Sequence, residues 1–120
     1  MNEVQNTKRY DLEERTLLFA KSVRLFIGKL QKTISTIEDG KQVVRSSGSI
    51  GANYIEANEA LSKKDFKMRI MICRKEAKET CYWLEILEIN SGNLENERVK
   101  LLEEATQLRK IFGAILEKTK

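Results

Sequence analysis

Apolar residues recur through the chain with the period of an α-helix. Near the N-terminus, six of them stand at heptad spacing in two interleaved rows: Leu12, Phe19, Phe26, Val23, Leu30 and Ile37. This pattern predicts a first helix over about Leu12 to Thr36. Asp39-Gly40 is expected to break the helix, and Thr36 or Asp39 to cap the helix that follows.

The same period predicts three further helices, over about Gly40 to Leu61, Lys63 to Ile89 and Leu94 to Lys118. Ile55 and Leu61 fall on the predicted inward face of the second helix.

Two predicted turns carry the signatures of helix ends. Ser62 stands three residues before Asp65, which is close to a capping box at the start of the third helix. Gly92 is expected to take the left-handed position after the third helix, and Asn93 to cap the fourth.

Four long helices with short connections predict an all-α fold, an antiparallel up-down four-helix bundle. We expect the bundle to occupy residues 11–120 and a flexible, polar N-terminal arm to occupy residues 1–10.

Several apolar residues lie outside the main stripes of the first and third helices: Leu17, Leu18, Leu25, Met68, Met71, Ile72, Trp83 and Ile86. A soluble monomer rarely exposes such a patch, so a second apolar face indicates that another chain covers it. The alternative is a wide core with scattered exposed apolar side chains.

Histidine and proline are both absent from the 120 residues. Without histidine there is no Ser-His-Asp triad, no Cys-His pair and no imidazole metal ligand. Since no other acid–base or metal-binding group of residues stands out, we expect no enzyme, no cofactor and no bound metal. The net charge of +4 permits nucleic acid or an acidic partner without requiring either.

The longest apolar runs are four residues, Leu17 to Ala20 and Ile70 to Cys73. A membrane-spanning helix needs about 20, and the N-terminus lacks the apolar region of a signal peptide. We therefore expect a cytoplasmic protein with no membrane contact. Cys73 and Cys81 fall about 12 Å apart along one predicted helix, so we expect free buried thiols.

The segment from Ser46 to Asn53 is rich in glycine and serine although it lies within a predicted helix. It lacks the spacing of a phosphate-binding loop and no strand precedes it. Because two glycines cost a helix about 1 kcal/mol each relative to alanine, a packing reason is favoured. We expect Gly48 and Gly51 to allow the close approach of a neighbouring helix.

Glu76 and Glu79 stand at a spacing found in carboxylate metal bundles. The di-iron pattern needs Glu-x-x-His, which this chain cannot supply. The alternative is an ion pair between helices, from Arg45 to Glu76 or Glu79, that fixes their register more than it stabilises the fold.

The start of the third helix is the most basic region, with seven cations and three anions between Lys63 and Thr80. Such a stripe can bind phosphates without reading sequence; the alternative is a solvated helix face. The candidate nucleic-acid-binding residues are Lys63, Lys64, Lys67, Arg74, Lys75 and Lys78.

Four segments, in this order, resemble those of a known family: Tyr10–Thr16, Arg45–Ala57, Ser62–Phe66 and Lys75–Leu84. It is the bacterial four-helix bundle family named for proteins encoded in intervening sequences of 23S ribosomal RNA genes. The resemblance covers about residues 10 to 116. The family is similar to the accessory variability proteins of diversity-generating retroelements.

The resemblance implies a ring-like homopentamer with a basic surface and no catalysis. Its implied partners are further copies of the chain, RNA or DNA, and a nucleic-acid enzyme such as a reverse transcriptase. Two hypotheses follow. The first is a non-catalytic oligomeric bundle that binds nucleic acid or a nucleoprotein through basic helix faces. The alternative is a protein-interaction or scaffold bundle with no nucleic-acid role.

Overall fold

The protein is described by a computed structural model, which covers the backbone of residues 3–120 and the side chains of residues 12–120. It contains four helices: α1 (Glu3–Gly28), α2 (Ile34–Asn58), α3 (Lys63–Ile86) and α4 (Gly92–Lys118). No strand occurs within residues 3–120, so the predicted all-α four-helix fold is confirmed. The backbone of α1 begins at Glu3, inside the segment predicted as an arm, and the side chains of that segment lie outside the described residues.

Each helix packs on the next along the chain, and α4 also contacts α1. The contacting residues show that α2 and α3 run in opposite directions. Arg45 of α2 pairs with Glu76 of α3, whereas Asn53, about two turns further along α2, pairs with Arg69. Antiparallel neighbours are what short connections between long helices require.

One apolar stripe from each helix faces the centre of the bundle. The largest fully buried apolar side chains are Phe26, Phe112, Ile50, Ile70, Leu84, Leu108, Val23 and Val43. The ring of Tyr54 packs against Phe112, with centroids 5.7 Å apart. None of the helices, within the described part of the chain, combines the length and apolar character needed to cross a bilayer.

The predicted boundary between the first two helices is wrong. α1 ends at Gly28 and α2 begins at Ile34, not at Gly40. Thr33 is the N-cap: its Oγ1 accepts from the backbone N of Thr36 at 3.1 Å, and its own backbone N donates to Thr36 Oγ1 at 2.8 Å. This capping box decides where α2 starts, so neither Thr36 nor Asp39 is the cap.

Two further details of the predicted helix ends are also wrong. Ile55 and Leu61, both predicted on the inward face of the second helix, are exposed. Leu61 lies in the connection after α2, which ends at Asn58, and is fully exposed; Ile55 lies within α2 and is half exposed. Gly92 has no positive φ and is the first residue of α4, whose N-cap is Ser91, not Asn93.

The start of α3 is as predicted. Ser62 caps the helix, and its side chain accepts from the backbone N of Asp65 at 3.0 Å. At the other end, Leu87 leaves α3 with extended backbone, so the chain needs no left-handed residue there.

Among the residues that the structure describes, the seam between α1 and α4 is less extensive than the other three helix contacts. Arg15 spans it by donating to both carboxylate oxygens of Glu104, at 2.7 and 2.8 Å. Nearer the other end, Lys29 pairs with Glu97 at 2.8 Å. The first and last helices are thus joined by charged side chains at the edge of the seam as well as by apolar ones.

Candidate nucleic-acid interface

An open groove of about 940 Å³ runs between α3 and α4. Met68, Met71 and Ile72 supply its apolar part. Five cations from the two helices also line it: Arg74, Lys75, Lys78, Arg109 and Lys110. We call these the five groove cations.

The register of α3 against α4 places these residues together. Arg74 Cδ lies 3.8 Å from the point where a Cβ on Gly113 would stand, and Cys81 Sγ lies 3.7 Å from Thr106 Oγ1. Between these two contacts, the antiparallel order sets Lys78 opposite Arg109. Gly113 lines the groove without a side chain and therefore leaves it open.

The five groove cations are not neutralised locally. Within residues 12–120, none of them makes an ion pair or hydrogen bond with a carboxylate, whereas Arg15, Arg45 and Arg98 all do. Like charges held around one concave surface raise the positive potential there and attract anions.

The structure brings together only half of the predicted nucleic-acid contacts. Arg74, Lys75 and Lys78 line the groove, whereas the other three predicted residues lie outside its lining, at the start of α3. Lys63 and Lys64 are exposed there, and Lys67 is half-buried.

Lys64 nevertheless shares a helix face with the groove. Residues spaced alternately by four and three positions lie along one face of a helix. On α3 this spacing joins six residues, which we call the outer stripe: Lys64, Met68, Met71, Lys75, Lys78 and Tyr82. All six are exposed.

Two groove cations, Arg109 and Lys110, were missed from the sequence. The predicted basic stripe lies along the third helix alone, and these two residues belong to the fourth. The sequence does show that the two cations are adjacent in the fourth predicted helix. Placing them beside the third helix would also require the antiparallel register that the turn between the two helices sets. That register is uncertain by about a turn from sequence, because helix ends are placed only to within a few residues.

Arg45 links the second and third helices on the opposite side of α3. It donates to Glu76 Oε1 at 3.2 Å and to Glu79 Oε1. Glu79 also accepts from Trp83 Nε1 at 3.2 Å. Glu76 is buried, and beside it Thr80 Oγ1 lies 2.7 Å from Ser46 Oγ. Both carboxylates of the Glu-x-x-Glu pattern are therefore engaged by one guanidinium.

Gly48 and Gly51 both face α1. A Cβ at Gly51 would stand 2.8 Å from Thr16 Oγ1 and 3.2 Å from Thr16 Cβ, closer than real Cβ contacts. A Cβ at Gly48 would stand 3.2 Å from the Arg24 guanidinium, which is the end of a flexible side chain. The structure therefore demands glycine more strictly at position 51 than at position 48.

Both cysteines are free and buried, as predicted. Burial raises the pKa of Cys73 to about 12, although its hydrogen bond and Arg69 oppose the shift. Burial also raises the pKa of Cys81, against a hydrogen bond with Thr106. Thiols held in the neutral form are poor nucleophiles. Across residues 12–120, no three ligating side chains gather in a way that could hold a metal ion.

The four packed helices define the chain as a helical-bundle protein, with basic residues lining the groove between α3 and α4. The family described as 23S rRNA-intervening sequence protein matches residues 8–114, so the chain belongs to that family. No match to the chain was found among curated proteins.

A solved structure from Bacteroides thetaiotaomicron is similar to this chain. It is 32% identical, with a TM-score of 0.70, and the match covers 87% of this chain and 96% of that one. It is described as a protein of unknown function from the S23 ribosomal protein family. The family and the fold are thereby established.

Proposed function

We propose that this protein is a non-catalytic, homo-oligomeric bundle of the cytoplasm that binds nucleic acid through the groove between α3 and α4. One observation carries the proposal: the five groove cations, from two helices, surround one open surface without a carboxylate partner among the described side chains. The family name refers to ribosomal RNA genes, which is consistent with a nucleic-acid ligand.

The binding is electrostatic and does not read base sequence. Lysine and arginine side chains that neutralise phosphates release condensed counterions, so affinity falls steeply as salt rises. Reading bases requires side chains that enter a groove at defined geometry. The helix face here carries flexible lysines and methionines, which suit backbone contact.

Oligomerisation strengthens the same interaction. Leu17, Leu18 and Leu25 are each more than half exposed on α1, and a second copy covering them would remove apolar surface from water. Several copies of the groove in one particle gain apparent affinity without new contacts. Together with the family resemblance, this leads us to propose a pentameric ring.

The test is a fluorescence anisotropy titration with short RNA and DNA at low salt. A variant combining Arg74→Gln, Lys78→Gln and Arg109→Gln should lose most of the affinity. The control combines Lys21→Gln, Lys32→Gln and Lys118→Gln, which removes the same charge from exposed lysines outside the groove lining. Equal loss in both variants would show that net charge, and not the groove, binds the ligand.

A protein-interaction or scaffold role is the second candidate, favoured by the exposed leucines of α1. Its partner would be a protein, for example a nucleic-acid enzyme such as a reverse transcriptase. Absence of any nucleic-acid binding at tens of micromolar protein would favour this role over the first.

A further inference from the structure

The outer stripe of α3 combines two chemical characters along one exposed face. Lys64, Lys75 and Lys78 are cationic, and Met68, Met71 and Tyr82 are apolar or aromatic. From Lys64 to Tyr82 the stripe is about 27 Å long at 1.5 Å per residue. A site that bound phosphates alone would have no use for the apolar members.

The ring of Tyr82 is exposed to solvent, and its contact with Trp83 restricts its orientation. Its ring meets that of Trp83 edge to face, with centroids 5.1 Å apart and an angle of 76° between the planes. Trp83 is itself tied down by its hydrogen bond to Glu79. Even so, 58% of Tyr82 remains exposed. An aromatic ring that is both fixed and exposed loses little conformational freedom when a flat partner stacks on it.

The methionines continue this surface into the groove. Met68 and Met71 are each 53% exposed, although the groove between α3 and α4 could have sheltered them. Both stand between Lys64 and Lys75, so polarizable apolar atoms separate the positive charges on this part of the stripe. Thioether side chains adapt to flat, irregular apolar partners.

Double-stranded nucleic acid cannot use this surface fully. Its phosphates face outward, but its bases stack on one another inside the duplex, so their flat faces are not accessible to a protein side chain. An unpaired strand offers phosphates and base faces together, and bases stack on aromatic side chains whatever their identity.

We propose that the outer stripe of α3 is a platform for single-stranded nucleic acid, with Tyr82 stacking on a base and Lys64, Lys75 and Lys78 contacting phosphates. This inference rests on the proposed function and narrows its ligand. It extends the binding surface beyond the groove to both ends of α3. The groove cations of α4 then border the strand on one side.

The experiment compares ligands of equal length in the full-length protein. A fluorescein-labelled 12-nucleotide strand, as RNA and as DNA, is titrated beside the 12-base-pair duplex at low salt. We expect the single strand to bind at least tenfold more tightly than the duplex. Tyr82→Ala should weaken single-strand binding by roughly five- to 150-fold, the range that alanine substitution gives for a stacked base. It should leave duplex binding unchanged.

Two controls keep the result interpretable. Tyr82→Phe retains the ring and should bind like the parent. Ile34→Ala removes an exposed apolar side chain at the start of α2, outside the stripe and the groove, and should change neither affinity. Equal affinity for strand and duplex, or an unaltered Tyr82→Ala variant, overturns the platform and leaves the proposed function standing. Absence of binding to both ligands overturns both.

Discussion

Gly51 of α2 lies directly against Thr16 of α1, so that a Cβ at position 51 would stand 2.8 Å from the threonine hydroxyl oxygen. The hydroxyl itself cannot turn away freely, because Thr16 is buried and Thr16 Oγ1 already donates within α1, with Leu12 O at 2.9 Å and Glu13 O at 3.0 Å. The glycine is therefore part of the helix–helix contact and not a flaw in α2.

Gly51→Ala is expected to destabilise the fold by about 1–3 kcal/mol through overpacking. Gly113→Ala is the matched control, because its Cβ would meet only Arg74 Cδ at an ordinary 3.8 Å. There the higher helix propensity of alanine should stabilise by up to about 1 kcal/mol. Urea unfolding measures the free energy of unfolding of both variants, which should fall for Gly51→Ala and rise for Gly113→Ala. A Gly51→Ala protein as stable as the parent contradicts the close contact.

Arg45→Met should cost more than the loss of an ordinary surface pair, because it leaves the buried carboxylate of Glu76 without its cation. We expect about 1–3 kcal/mol, below the full cost of breaking a buried pair, since Arg45 is itself half exposed. Glu76→Gln in the same chain should recover part of the loss in a double-mutant cycle.

The control for that cycle is the exposed pair Lys41–Glu38 of α2, with its N–O distance of 3.5 Å. Its coupling energy should fall between about 0 and 1 kcal/mol. If the Arg45–Glu76 coupling were no larger, the interhelical pair would have no special part in fixing the register of α3 on α2.

The raised pKa of Cys73 predicts that the folded protein becomes less stable at alkaline pH. Burial raises the pKa of Cys73 to about 12, from the ordinary value of 9.0, so between these values the unfolded chain releases the proton and the folded chain keeps it. The free energy of unfolding then falls as pH rises above about 9, by at most about 1.4 kcal/mol per pH unit for this group.

Denaturation at pH 8 and pH 10.5 measures this loss, and Cys73→Ala isolates it. The variant is less stable at both pH values because it loses buried volume, but its decline between them should be smaller than that of the parent. Cys81, whose pKa burial also raises, is present in both proteins. If the stability of the two proteins declined in parallel, Cys73 would have no part in the loss.

The mass in solution tests the proposed assembly. Static light scattering at micromolar concentration should give a multiple of the 13.9 kDa chain, about 70 kDa for five copies. Leu18→Glu combined with Leu25→Glu places charge on one face of α1 and should reduce that mass. Leu61→Glu, at a fully exposed position in a connection, should not. A parent protein that scatters as a single chain contradicts the proposal.

The number and type of the helices could be predicted from sequence because each apolar stripe is long and regular. The boundary between α1 and α2 could not, because the stripe continues through the connection. Ile37 continues one heptad row and Ile34 widens the stripe, yet Ile34 is 87% exposed. The reciprocal Thr33–Thr36 hydrogen bonds start α2 there, and threonine in the second capping position is not the usual glutamate or glutamine.

Gly40 illustrates the same limit. Next to Asp39 it looks like a helix breaker, but it lies inside α2, where a Cβ would meet Ile27 Cγ2 at 3.1 Å. Only tertiary packing distinguishes such a glycine from one in a turn. In the candidate site, the charge pattern of one helix was enough to predict Arg74, Lys75 and Lys78. Arg109 and Lys110 depend on how two helices meet, and a single sequence does not fix that.

Because the seam between α1 and α4 is narrow, we expect these two helices to open locally before α2 and α3 do. α2 and α3 each have two extensive neighbours, but the first and last helices meet along an edge where Arg15–Glu104 and Lys29–Glu97 add to the contact. Dissolved ions weaken the exposed charged contacts and leave apolar packing nearly unaffected. Amide hydrogens of α1 and α4 should therefore exchange with solvent before those of the middle pair, and the difference should widen as ionic strength increases.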